Sequence, residues 1–224
     1  NDPRTNFHRH LRAFLTVVGI EEGTDVTITL STATVGSTHI PAMGKGEELQ
    51  VSLGPFDVLN LETGDFGADF TGTHIVADKP IAVFSGSEAS DVPMFDDLSD
   101  RFCCADHLEH QLYPTTSAGT NFVVARMPPR TPAVQAAGGE VSVVEEFDWV
   151  RILATENNTD VVTSLPPPND RFKLQQGEHV TMAAVCDFTI VSSQPIFVGQ
   201  FVSGQATTGI APDLPGGDPS FILL

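Results

Sequence analysis

Leu15-Thr-Val-Val-Gly-Ile-Glu-Glu-Gly-Thr-Asp-Val-Thr-Ile-Thr-Leu30 reads as strand, polar turn, strand. Much farther along, Val150-Arg-Ile-Leu-Ala-Thr-Glu-Asn-Asn-Thr-Asp-Val-Val-Thr-Ser-Leu165 reads the same way, and both turns close on Thr-Asp-Val, at Thr24 to Val26 and Thr159 to Val161. A second pair of segments follows in the same order. Asp69-Phe-Thr through Lys79-Pro80 to Phe84 aligns with Asp187-Phe-Thr through Gln194-Pro195 to Val198, given a short gap. Proline at the first residue of a strand costs no ladder hydrogen bond, so both prolines suit a corner between strands. Two matched segments in one order predict an internal duplication of a β-unit, with a first unit over 1–118 and a second over 119–224.

Outward from these segments, runs rich in Val, Ile, Thr and Phe recur between Gly, Pro, Asn and Asp. Strands are expected at Phe14–Ile20, Val26–Leu30, Leu49–Leu53, Phe56–Leu61, Thr73–Val76 and Ile81–Ser85. In the second half they are expected at Phe122–Arg126, Trp149–Ala154, Val161–Leu165, Glu178–Ala183, Phe188–Val191 and Ile196–Val202. Helical periodicity is confined to Ala105–Leu112, where Asp106 caps a short helix carrying Leu108 and Leu112. The fold class is all-β, two related sandwich-like units with one short helix between them. Pro128 to Gly139, rich in Pro, Ala and Gly, reads as a surface excursion loop.

The chain has 224 residues, 29 acidic against 11 basic, and a net charge of −18. Nucleic acid and anionic lipid surfaces need an excess of Lys and Arg, so neither is an expected partner. No apolar run reaches the roughly 18 residues of a membrane-spanning helix. The start at Asn1 without an export signal and the apolar end at Phe221-Ile-Leu-Leu224 predict a segment of a longer exported chain.

Two groups could carry chemistry. Cys103, Cys104, Asp106, His107 and His110 fall within eight residues, and Asp106, His107 and His110 would serve a metal-dependent hydrolase. Adjacent cysteines do not make the two separated ligand pairs of a structural zinc site, however. The bland alternative is one disulfide, Cys104 with Cys186 (Cys103 as the other partner), in an oxidising compartment. Asp91, Asp96, Asp97 and Asp100 gather acids in one loop, where calcium is the cation that would offset their repulsion and make the chain a calcium-stabilised spacer. That loop lacks the Gly and terminal Glu of a helix–loop–helix calcium site. Serine in Phe84-Ser-Gly-Ser-Glu88 does not form a nucleophile elbow. Asn157-Asn-Thr159 is a glycosylation sequon that reads more simply as a hairpin turn.

The run Phe70-Thr-Gly-Thr-His-Ile-Val-Ala-Asp-Lys-Pro-Ile-Ala-Val-Phe-Ser-Gly86, then Cys104-Ala-Asp-His-Leu-Glu-His-Gln-Leu112 and Gly119-Thr-Asn-Phe-Val-Val124, resembles the N-terminal domain of IgG Fc-binding protein. The resemblance extends through Ile152–Thr155, Asn158–Val161 and Gln194–Phe201 to Gly217–Ser220. It implies a non-enzymatic extracellular recognition or adhesion module of a larger bacterial surface or secreted protein, with an unknown protein or glycan ligand. It assigns no catalytic residues.

Overall fold

The computed structural model describes residues 11–65, 67–93 and 105–224. Fourteen strands are described: β1 (Ala13–Gly19), β2 (Thr24–Thr29), β3 (Glu48–Leu53), β4 (Val58–Glu62), β5 (His74–Ala77), β6 (Ile81–Ser90), β7 (Asp106–Gln111), β8 (Gly119–Val124), β9 (Asp148–Ala154), β10 (Thr159–Thr163), β11 (Arg171–Leu174), β12 (His179–Ala184), β13 (Phe188–Val202) and β14 (Ser220–Leu223). The helix α1 spans Thr131–Ala136.

Each half builds antiparallel sheet around its own core, two sheets in the first half and one seven-stranded sheet in the second. In the first, β4-β1-β6-β7 faces β3-β2-β5. The long β13 joins the two arms of the second half's single sheet. A register break between Val191 and Ile196 divides it, so its first part lies between β10 and β8 and its second between β9 and β14. Alternation places the inward residues. In β1, Ala13, Leu15 and Val17 join one core; in β9, Val150, Ile152 and Ala154 join the other.

The two halves repeat individual hydrogen bonds. Thr24 and Thr159, both fully buried, donate their hydroxyls to the carbonyls of Glu21 and Glu156 at 2.8 and 2.7 Å. This explains the shared Thr-Asp-Val, since a buried hydroxyl needs a local acceptor to close the turn. Phe56 N donates to Gly19 O and Gly177 N to Ala154 O, each at 2.9 Å. Leu112 N donates to Val83 O at 2.8 Å, and Leu224 N to Val198 O at 2.9 Å.

Two elements differ from the sequence reading. Ala105–Leu112 is not helical: Asp106–Gln111 forms β7, paired with β6 from Phe84↔Gln111 to Ser87↔Leu108. Leu108 is the buried residue in an otherwise polar alternation, and the ladder to β6 outweighs a short, weakly capped helical pattern. The short helix lies instead in the Pro-rich excursion. Glu146, only 8% exposed, fixes it: its Oε1 accepts the backbone N–H groups of Arg130 and Thr131 at 2.7 Å, and its Oε2 accepts Arg130 Nε at 3.0 Å. Strands β7 and β11 lack β-branched runs and were not anticipated.

Candidate functional site, a cleft between the two units

β9 carries large side chains on both faces, because Trp149, Arg151 and Leu153 alternate with its core residues. A strand apolar on both faces is covered on both faces. The outer cover is the first unit, and a cleft of about 570 Å³ remains between them. One wall is the outer face of the second unit, including Trp149, Phe197, Phe201 and Phe221; the other is residues 67–73 with Ser87, Ser90 and Leu108.

Aromatic contacts order the first wall. Phe201 and Phe221 stack with centroids 4.5 Å apart, and the Arg151 guanidinium lies 5.7 Å from the Phe201 centroid. Gly199 makes room for them, since a Cβ there would stand 2.7 Å from the Phe221 ring. His110 meets Phe221 edge-on at 5.7 Å.

Arg151 also clamps the units together. Its Nη1 donates to Asp69 Oδ2 at 2.6 Å and to Thr71 Oγ1 at 2.8 Å, while its Nε donates to Thr181 Oγ1 at 3.0 Å. Asp69 Oδ1 accepts Thr71 N–H at 2.8 Å. Burial alone would raise the Asp69 pKa, but the Arg151 charge and the hydrogen bonds from Thr71 and Arg151 hold it below the ordinary carboxylate value. Asp69 is therefore an ionised partner of Arg151 at neutral pH rather than a proton donor. The His179 pKa is pushed down, first by burial and then by the Arg151 charge. Beside the clamp, Gly72 at φ +90° lies so close to Gly177 that any Cβ would collide with the Gly177 carbonyl. The cleft thus offers stacking surface, hydroxyls and a neutralised ion pair.

The residues singled out in the sequence fall elsewhere or apart. On β7, Asp106, Leu108 and His110 alternate with His107 and Glu109, so the expected Asp106/His107/His110 cluster is split between two faces. His107 Nε2 meets Glu109 Oε2 at 3.3 Å and its ring stacks on Phe14, whereas His110 Nδ1 meets Gln111 O at 2.6 Å. Among the described residues no group of three or more His, Cys, Asp or Glu is placed to hold a metal. Asp91 lies at the cleft; Asp96, Asp97 and Asp100 lie outside the described residues. Cys186 is exposed at the β12–β13 turn with no cysteine partner among the described residues; its expected partners Cys104 and Cys103 lie outside them. Asn157-Asn-Thr159 is a turn, with Asn158 at φ +55°. Sequence reading missed the cleft residues; the legible signal was Trp149 and Leu153 on the face of β9 that alternation alone would give to solvent.

No helix among the described residues is long and apolar enough to cross a membrane. No curated protein matches the chain. The family model described as IgGFc binding protein matches residues 3–224, nearly the full length, and the chain belongs to that family.

Proposed function

We propose that the chain is a non-enzymatic extracellular recognition module, part of a larger bacterial surface or secreted protein, and that the inter-unit cleft receives part of a protein ligand. Family membership over residues 3–224 carries the reading, since the family description names a binding protein. The cleft adds an aromatic wall of the kind that anchors apolar side chains at interfaces. The charge of −18 supports a ligand whose contact surface is neutral or basic. The matched topology of the halves supports a duplicated ancestor, with the units meeting near residue 118. A Cys104–Cys186 bridge is a separate proposal, read by non-reduced peptide mapping; calcium at the Asp91–Asp100 loop is another, read by melting with and without chelator.

The test is interferometry with the immobilised chain against a purified Fc fragment, the probe named by the family description, and against other secreted proteins and glycans. Saturable binding that Ser90→Trp weakens is expected, because Ser90 lines the cleft and indole would occupy it. Silence towards all of them would refute the reading.

A further inference from the structure

The second unit carries apolar side chains where alternation points to solvent. Val124, Val161 and Ile190 enter its core, so Val123, Val162 and Val191 face outward, and they are 73%, 48% and 50% exposed. All three lie on one face of β8, β10 and β13. Val162 is directly opposite Val191; two residues before Val191 on the same face, Thr189 is opposite Val123. Single apolar residues on a surface are ordinary, but three on adjoining strands make a patch.

The fold does not require this patch. The shared Thr-Asp-Val turns put Thr27 of β2 where β10 has Val162. Thr27 lies between Gln50 and Val76, and Val162 between Arg171 and Val191, so the first unit builds the matching row with two polar residues and one valine.

Charge also sets the face apart. A chain with net charge −18 opposes the approach of another copy over most of its surface. Beside the valines, however, Arg171 meets Asp170 at 3.5 Å and Lys173 meets Asp160 at 3.6 Å. These four charges cancel. The patch therefore presents apolar surface with a neutral border of both signs, which is self-complementary under a two-fold axis and offers nothing particular to a strongly charged partner.

We propose that the outer face of β8, β10 and β13 is a self-association surface, on which a second copy of this chain docks through the same three valines. The second core separates this face from the outer face of β9, so pairing here leaves the inter-unit cleft uncovered. The proposal stands independently of what the cleft binds. A patch of this size belongs to the small, weak class of interfaces, with a dissociation constant on the order of 10–100 µM.

Sedimentation equilibrium of the 224-residue chain tests this, from about 5 to about 500 µM and with a reducing agent so that no disulfide links copies. The mean mass should rise from that of one chain towards that of two. Val191→Lys should weaken the association about tenfold or more, by placing unpaired charges in the contact. Val162→Thr, which installs the residue of the first unit and keeps a β-branched side chain, should weaken it about threefold with the fold intact. Val76→Lys, at the matching exposed position of the first unit, should leave it unchanged. The mass of one chain at every concentration would overturn the proposal. So would association indifferent to both Val191→Lys and Val162→Thr, or weakened equally by Val76→Lys.

Discussion

Removing the Arg151 clamp should loosen the two units without unfolding either core. Arg151 and Asp69 are 26% and 38% exposed, so their 2.6 Å ion pair is weaker than a buried one and stronger than a fully solvated one. Charge-assisted hydrogen bonds contribute about 1.5–3 kcal/mol and exposed pairs at most about 1 kcal/mol, which places the loss in Arg151→Met at about 1–2 kcal/mol. For a chain of this length that lowers Tm by about 2–8 °C. A double-mutant cycle with Asp69→Asn, followed by thermal and urea unfolding, isolates the pair, and its coupling energy should be about 1 kcal/mol. The coupling has a pH signature. Because the folded Asp69 pKa lies below its ordinary value of 3.8, the stabilisation is complete above that value and disappears as pH falls through the lower folded pKa. A coupling energy of zero at pH 7, or one that fades between pH 7 and 5, would refute the clamp.

Phe56 is 87% exposed and holds φ +66°, at the turn position where the second unit has Gly177 at φ +79°. Phe56→Gly should therefore stabilise by about 0.5–1 kcal/mol in denaturant unfolding, and destabilisation would show that the ring packs against something. Gly72→Ala should cost about 2–3 kcal/mol, from a disfavoured φ and a collision with the Gly177 carbonyl, whereas Gly46→Ala, at φ +85° with nothing near, should cost about 1 kcal/mol. Equal losses would remove the case for tight inter-unit contact. Glu146→Ala should cost about 3 kcal/mol and free the excursion at α1 to exchange, because it strands the Arg130 charge and two backbone donors.

The all-β class and the paired halves were legible because strand alternation and turn chemistry are local. β1 and β9 announce themselves through inward Leu15, Val17, Val150 and Ile152, and the Thr-Asp-Val turns through a hydroxyl that must bond within its own turn. β7 was not legible, since Asp-His-Leu-Glu-His-Gln offers a single apolar residue, Leu108, and becomes a strand only through β6. The site was hidden for a related reason. Arg151 and Asp69 are far apart in sequence and meet only when the units pack, while the conspicuous His107 and His110 are separated by the strand that carries them. Trp149 and Leu153 were the visible sign that the outer face of β9 is covered.

The binding measurement most direct for the cleft is a titration of the 224-residue chain against its probes, made in parallel with Ser90→Trp. Saturable binding to a protein probe, weakened tenfold or more by a folded Ser90→Trp variant, is the expected result, about 1.4 kcal/mol of binding free energy. Saturable binding that Ser90→Trp leaves unchanged, or no saturable binding to any protein, would contradict recognition at the inter-unit cleft.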